Sequence, residues 1–402
     1  MADWTDDLSS LTRALGSRVR GAARHLARAV TGTNPYEIIP YRGHGTSTRL
    51  YVHGRVLEGE TITPAAEVDS TWRNLVNTWK RLEADPLPHA RVRARVGAVE
   101  REIVADDEGF FATWLTLPAP LPADRLWHPV ELELLGPLRP QDAGVRATAL
   151  CLVPPPGAAY AVISDLDDTV IQSHVTNFLR AARTLLLDNA RTRLPFPGVA
   201  AFYQALHAGT GGVQNPIYYV SSSPWNLYSL LTEFLDLQGI PVGPLMLRDW
   251  DIDRRMMAGD RHHSHKGELI REIIALNPTL SFILIGDSGQ QDPEIYQSIV
   301  EEFPDRIHAI YIRNIERDPL RIAAVMALAE KVRAARSALV LADDTLAAAR
   351  HAVEHGWIPA SALPAIGEEK AADEGVTAKK APAPGTPAPE DKTPTVVVDD
   401  QR

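Results

Sequence analysis

Apolar and polar positions along the chain follow two different rules, and the change between them falls near residue 155. Between residues 35 and 153, "RLYVHGRVLEG", "RVRARVGAVEREIVADDEGFFATWLTL" and "VELELLGPL" alternate apolar and polar side chains and are rich in β-branched and aromatic residues. A period of two predicts short half-buried strands. "DDEG", Asp106–Gly109, predicts a hairpin turn between two of them. "STWRNLVNTWKRLEAD" interrupts the series with helical spacing. The region therefore predicts a small, mostly antiparallel β domain, a sandwich, over 35–153. "PPPG", Pro154–Gly157, reads as a linker.

From Ala158 the pattern becomes strand, then helix, repeatedly. Tyr160–Ser164, Ile217–Ser221, Ser281–Ile285 and His308–Ile312 are continuous apolar runs. Helical stretches such as "GVAAFYQALHAG" and "SPWNLYSLLTEFLDLQG" separate them. Apolar strands alternating with helices predict an α/β domain, with a parallel sheet covered on both faces, over 158–365. Helical segments follow Asp318, on either side of the short run "LVLA". Residues 366–402 are rich in Pro, Ala, Lys, Glu and Thr, a composition that predicts a disordered tail. At the other end, residues 1–34 predict an amphipathic helix. Trp4, Leu8, Leu11, Leu15, Val19, Ala22, Leu26 and Val30 share one face, opposite Arg13, Arg20, Arg24 and Arg28. Such a helix either lies on an anionic membrane surface or packs its apolar stripe on one of the two domains.

Composition narrows the classes. A chain of 402 residues with 45% hydrophobic content supports two cores. A net charge of -10 argues against bulk attraction to nucleic acid, and no nucleic-acid partner is expected. Cys151 is the single cysteine, which excludes an internal disulfide and fits a reducing compartment. No apolar run is long enough for a secretory core or a bilayer span. The expectation is a cytoplasmic protein, peripheral to a membrane at most.

Candidate chemistry gathers where the predicted strands end, the position of ligands in doubly wound sheets. "YAVISDLDDTVIQSHV" follows the first strand with Asp165, Asp167, Asp168 and Thr169. "YYVSSSPW" ends the second with Ser221, Ser222 and Ser223, hydroxyls at a helix start that suit a phosphate. "HHSHKGELI" puts Lys266 in the first turn of a helix, where a cation opposes the macrodipole unless an anion is near. "FILIGDSGQQDPEIY" ends a strand at Asp287, with Asp292 five residues on. Crowded carboxylates repel unless a cation lies between them, and hard oxygen ligands beside a phosphate point to Mg2+. The histidines of "RHHSHK" lack the cysteines or spacing of a zinc site. "GTGG" has no Gly-Lys-Ser/Thr after it, so it is a turn and not a P-loop.

This order of motifs resembles the haloacid dehalogenase-like phosphohydrolase superfamily. "ISDLDDTVIQSHVTN", "VSSSPWNLY", "HKGELI" and "LIGDSGQQDPEIY" are similar to the catalytic domain of its actin-patch-associated phosphatidate phosphatase family. "YRGHGTSTRLYVHGRVL" is similar to the domain preceding it in bacterial members. The resemblance implies a Rossmannoid parallel sheet and a Mg2+-dependent phosphatase acting on phosphatidate or a related lipid phosphate. It implies that Asp165 is the nucleophile, forming an aspartyl phosphate, and that Asp167 is the general acid and base. Ser221, Ser222 and Lys266 would bind the phosphate; Asp165, Asp167 and Asp287 would hold Mg2+; Thr169 and Asp292 would support the site. The motifs read a phosphate and not what carries it. A nucleic-acid-end or phosphoprotein phosphatase on the same fold, or a non-catalytic interaction protein, remains the alternative. "RDWDIDRRMMAGDRHHSHK" is either a rim contacting anionic substrate or a solvated loop.

Overall fold

The computed structural model describes residues 35–59, 84–142, 144–166, 196–248, 265–316, 318–378 and 396–398. The expected N-terminal helix, the helix over "STWRNLVNTWKRLEAD" except its last residues, and nearly all of the Trp250–His265 rim lie outside them. So do Asp167, Asp168 and Thr169.

The first region contains β1 (Tyr36–Pro40), β2 (Gly43–Thr46), β3 (Arg49–Glu58), β4 (Arg91–Val96), β5 (Val99–Val104), β6 (Phe110–Thr116), β7 (Trp127–Gly136) and β8 (Arg146–Leu152). Ladder hydrogen bonds join them in the order β1-β3-β2-β8-β7-β4-β5, with β6 on the other edge of β3. Every pair is antiparallel except β2 with β8. The sequence anticipates a sandwich; the bonds instead connect all eight strands into one sheet. Its ends approach each other, where Arg101 of β5 donates to the Trp114 carbonyl of β6 at 3.1 Å. The "DDEG" turn forms, and the Asp106 carboxylate accepts from the Glu108 and Phe110 amides at 2.9 and 2.8 Å. It does not close a hairpin: β5 pairs with β4, and β6 crosses over to β3. Alternation fixes which face of a strand is buried and leaves its neighbour open. Leu50, Val52, Val56, Val92, Val130 and Leu132 are core residues of this region.

The second region contains β9 (Ala161–Asp165), α1 (Val199–Ala208), β10 (Ile217–Pro224), α2 (Tyr228–Leu237), β11 (Leu245–Arg248), α3 (His265–Leu276), β12 (Phe282–Asp287), α4 (Asp292–Glu302), β13 (Ile307–Arg313), α5 (Pro319–Ala334), β14 (Ala338–Ala342), α6 (Thr345–Glu354), α7 (Leu363–Ala378) and β15 (Val396–Val398). The sheet order is β11-β10-β9-β12-β13-β14-β15, parallel throughout except for β15. β9 and β12 are neighbours although the chain visits β10 and β11 between them. That reversal of strand order opens a crevice outside their carboxyl ends. One face of the sheet packs on α1, α2, α6 and the start of α7; the other packs on α3, α4 and α5. β9 and β12 are buried along their whole length, which explains their unbroken apolar runs. β11 and β14 are not among the expected strands: apolar runs as short as "LMLR" and "LVLA" do not tell strand from helix.

The expectation of a disordered tail from residue 366 fails over its first turns. α7 runs to Ala378, Ile366 is fully buried, and Glu369 and Asp373 accept from the Ala201 and Gly198 amides at the start of α1. Carboxylates satisfying the free N–H groups of another helix stabilise both. An averaged composition hides one apolar residue and two well-placed acids. Among the described residues no helix is long and apolar enough to cross a membrane.

Candidate active site

Asp165 is the last residue of β9, and Asp287 is the last of β12. The two strands pair with Ile285 beside Ser164, so both carboxylates leave the sheet at the switch point. The strands behind them are apolar and buried, and each polar residue emerges where the ladder stops. Both acids are fully buried.

Two helices bring the remaining groups. Lys266 is the second residue of α3, and its ammonium bridges Asp165 at 2.8 Å and Asp292 at 2.5 Å. Gln290 accepts from the same ammonium at 3.5 Å. The anion that the sequence demanded near this helix start is thus supplied in part by the protein. Burial alone would push the ammonium down, but Asp165 and Asp292 outweigh it and hold Lys266 above its usual value. Asp292 opens α4, where its second oxygen accepts from the Asp287 amide at 3.2 Å. Gly286 makes room for it: a Cβ there would stand 2.5 Å from the Asp292 carboxylate and 2.8 Å from the Tyr296 ring.

The loop after β12 is fixed from several sides. Asp287 accepts from the Gly289 and Gln290 amides at 2.7 and 2.9 Å. Ser288 accepts from the Ile315 and Glu316 amides at 3.0 Å each. Arg321 of α5 donates to the Ser288 and Gln290 carbonyls at 2.7 and 2.6 Å, and pairs with Glu294. Sequence reasoning missed Gln290 and Arg321. Gln290 stands inside the quoted motif but carries no charge to mark it. Arg321 lies far along the chain and reaches the loop only through helix packing.

Carboxyl oxygens of Asp165, Asp287 and Asp292 all lie within 4.8 Å of one another, close enough to share a metal ion. Burial and then the Asp292 charge push Asp287 up to about 7, against the two backbone amides that stabilise its ionised form. One Asp287 oxygen is buried without a hydrogen-bond partner among the described residues. A buried acceptor in that condition is costly, and a hard divalent cation satisfies it. The donor set therefore fits Mg2+. Asp292 belongs to the cluster as closely as the two expected ligands do. The backbone carbonyl of Asp167, expected as a further ligand, lies outside the described residues.

Ser221 and Ser223 are buried at the carboxyl end of β10, while Ser222 is exposed. The Ser221 hydroxyl accepts from the Ser223 amide at 3.0 Å. The β10–β9 ladder pairs Val220 with Asp165, so the serines begin where Asp165 ends, one strand away. Asp165, Ser221, Ser222 and Asp287 thus stand at the carboxyl ends of neighbouring strands, where Lys266 and Asp292 reach Asp165 and Asp287 from two helices.

Residues 160–314 match the family described as phosphatidate phosphatase APP1, catalytic domain. The chain is 31% identical over 153 residues to phosphatidate phosphatase APP1 of Saccharomyces cerevisiae, 38% of this chain and 25% of the yeast protein. It is 29% identical over 160 residues to an uncharacterized protein of Schizosaccharomyces pombe, 39% of this chain and 26% of that one. The matches thus span about a quarter of each yeast protein. Among solved structures, a carbohydrate acetylesterase from Xanthomonas citri covers 72% of each chain at 12% identity, with a TM-score of 0.24, too low to bear on the fold. The expected resemblance to the actin-patch-associated phosphatidate phosphatase family is matched over residues 160–314, which contain Asp165, Ser221, Ser222, Lys266, Asp287 and Asp292.

Proposed function

We propose that this protein is a Mg2+-dependent phosphatase of haloacid dehalogenase-like fold, acting on phosphatidate or a related lipid phosphate through an aspartyl phosphate. One observation carries the reading: Asp165 and Asp287 end adjacent parallel strands at the switch point, with Lys266 clamped between Asp165 and Asp292. The similarity to a phosphatidate phosphatase supports the substrate class.

Asp165 attacks phosphorus, the bond to the leaving oxygen breaks, and an acyl phosphate forms on the Asp165 carboxylate. Asp167 gives a proton to the departing alkoxide, then takes one from the water that cleaves the acyl phosphate and regenerates Asp165. Lys266 turns from Asp165 to the equatorial phosphoryl oxygens, and Asp292 keeps its ammonium aimed there. Ser221 and Ser222 donate to the same oxygens. Asp165, the Asp167 carbonyl and Asp287 would hold Mg2+, with Asp292 close by and Thr169 fixing the loop. Bound there, the ion supplies positive charge that offsets repulsion between carboxylate and phosphate.

The proposed organisation is an N-terminal helix over 1–34, a β domain over 35–153 and the phosphatase domain from 158. A peripheral membrane position through residues 4–30 fits a lipid substrate. The test is release of inorganic phosphate by the purified chain from phosphatidate vesicles, nucleotides, polynucleotide ends and phosphopeptides, with and without Mg2+. Mg2+-dependent release from phosphatidate is expected. Preference for polynucleotide or peptide would replace the substrate, and no release from any member would overturn the phosphatase reading.

A further inference from the structure

We infer that the β-rich region is a working part of the phosphate site: Tyr41, with His53 and Arg55, grips the turn after β10 and thereby holds Ser221–Ser223 in position. The inference rests on the reading of the crevice as a phosphate site and gives the first region a task in it.

The argument begins with what fixes the serines. The β10–β9 ladder ends at Val220, and the β10–β11 register is broken between Val220 and Pro224. Regular sheet pairing therefore stops where Ser221 starts. On the far side come a single 3-10 turn, Trp225–Leu227, and then α2, whose N-cap Leu227 provides no side-chain cap. The Ser221–Ser223 hydrogen bond and the Pro224–Arg248 pair brace this stretch from within, and the turn beyond it is held from outside.

The β-rich region supplies that outer clamp. The Tyr41 ring stacks on Trp225 with centroids 5.3 Å apart and 6° between planes, and on Tyr228 at 4.0 Å and 29°. His53 meets Trp225 edge-on at 4.9 Å and 88°. The Tyr228 hydroxyl accepts from the Arg42 amide at 2.6 Å, and Arg42 donates twice to Asp236 on α2, at 3.0 and 3.1 Å. Arg55 donates to the Asn226 side chain at 3.3 Å. Arg55 is itself fixed over the Phe110 ring and by the Glu108 carbonyl at 2.8 Å. Tyr41 is 4% exposed and belongs to the core of the α/β region, not to that of its own sheet.

The "YRGHG" and "HGR" motifs now have a physical reading. A Cβ on Gly43 would stand 2.2 Å from the Tyr51 carbonyl and 2.7 Å from the Cys151 sulfur. One on Gly54 would stand 2.5 Å from the Ile39 carbonyl. The glycines allow strands β1, β2 and β3 to approach closely enough that Tyr41, Arg42, His53 and Arg55 all reach one turn. A contact serving only to join two regions would work anywhere on their surfaces. This one falls on the residues that directly follow the phosphate-binding serines.

The test uses the full chain and a soluble aryl phosphate with Mg2+, reading kcat, KM, competitive inhibition by inorganic phosphate, and the thermal midpoint. Tyr41→Ala is expected to weaken inhibition by phosphate, and to raise KM, by roughly tenfold, the scale of a lost aromatic pair. Tyr41→Phe, which keeps the stack, should stay within about twofold of the parent. Arg55→Ala should show the same trend at roughly threefold, and it serves alone should Tyr41→Ala fail to fold. A lower melting temperature with unchanged phosphate inhibition in either variant would make the contact merely structural and overturn the inference. A parent protein that neither hydrolyses the ester nor binds phosphate would overturn the phosphatase reading itself, and this inference with it.

Discussion

Two parts of the molecule concentrate charge, and they do so in opposite ways. On the solvent face of β4, β5, β7 and β8, Arg91 pairs with Glu102, Arg93 with Glu100 and Glu133, Arg95 with Glu131, and Arg146 with Glu133. Each acid has an arginine, and Glu131 and Arg146 remain 64% and 71% exposed. At the carboxyl edge of the parallel sheet, Asp165, Asp287 and Asp292 are fully buried and share Lys266. Exposed cross-strand pairs are screened and contribute little; buried carboxylates in excess of their cations cost stability unless something else binds. The number of charges does not separate a surface from a site. Balance and burial do, and a fold tolerates a buried imbalance where a ligand is meant to complete it.

The comparison is broken most severely by Asp165→Asn. Phosphate release should fall at least about 10^4-fold, because an amide does not attack phosphorus, while the thermal midpoint holds. Turnover near the parent rate would remove the nucleophile from the mechanism. Next in size is Asp292→Asn, which keeps the shape against Gly286 but removes the charge that aims Lys266. A loss of roughly 10^2-fold is expected in kcat with the fold retained. An unaffected kcat would show that Lys266 needs no such partner.

The third prediction sharpens the contrast through pH. Burial and the Asp292 charge push Asp287 up to about 7 in the folded chain, so above the ordinary carboxylate range the folded protein holds a proton that the unfolded chain has released. In metal-free protein this contribution to stability is therefore lost as pH rises from about 4 to about 7, and it stays lost above that. Asp287→Asn should be more stable than the parent at pH 8 without metal, by on the order of a few kcal/mol, and melt higher, with the difference shrinking toward pH 4. Activity of the same variant should drop. Thermal melts of both proteins across this range, in chelator, decide it; a variant less stable at pH 8 would show that the carboxylate is not a burden. The smallest effect belongs to the exposed ladder. Arg95→Ala should leave the thermal midpoint nearly unchanged and phosphate release unaltered. A loss of several-fold in activity would mean that this face touches the substrate.

Much of the site was legible because each functional residue terminates an element with a strong pattern. Asp165 and Asp287 follow apolar runs, and Lys266 opens a helix in a place that its charge disfavours. Gln290 and Arg321 were not legible: an amide in a loop and an arginine on a distant helix have no local signature. β11 and β14 escaped for want of length, and α7 was hidden by the average composition around it. In the first region the periodicity marked β3 to β7 but not β1, β2 or β8, and the hairpin assigned to "DDEG" was wrong, since β5 and β6 each pair with another strand.

By itself, then, the sequence determined the two periods, the alternation of β9, β10, β12 and β13 with helices, and the list of charged residues at their ends. These follow from local rules: side-chain alternation, helix-start chemistry and turn residues act over a few positions. Only the tertiary structure decided that β9 lies between β10 and β12, so that two carboxylates 122 positions apart in number share one crevice. It also decided that Lys266 is held by two aspartates from two other elements, and that Tyr41 closes on Trp225 across the boundary between regions. Those are choices of partner. A chain segment carries the capacity to pair or to pack, but which surface it meets is settled by the joint burial of all of them.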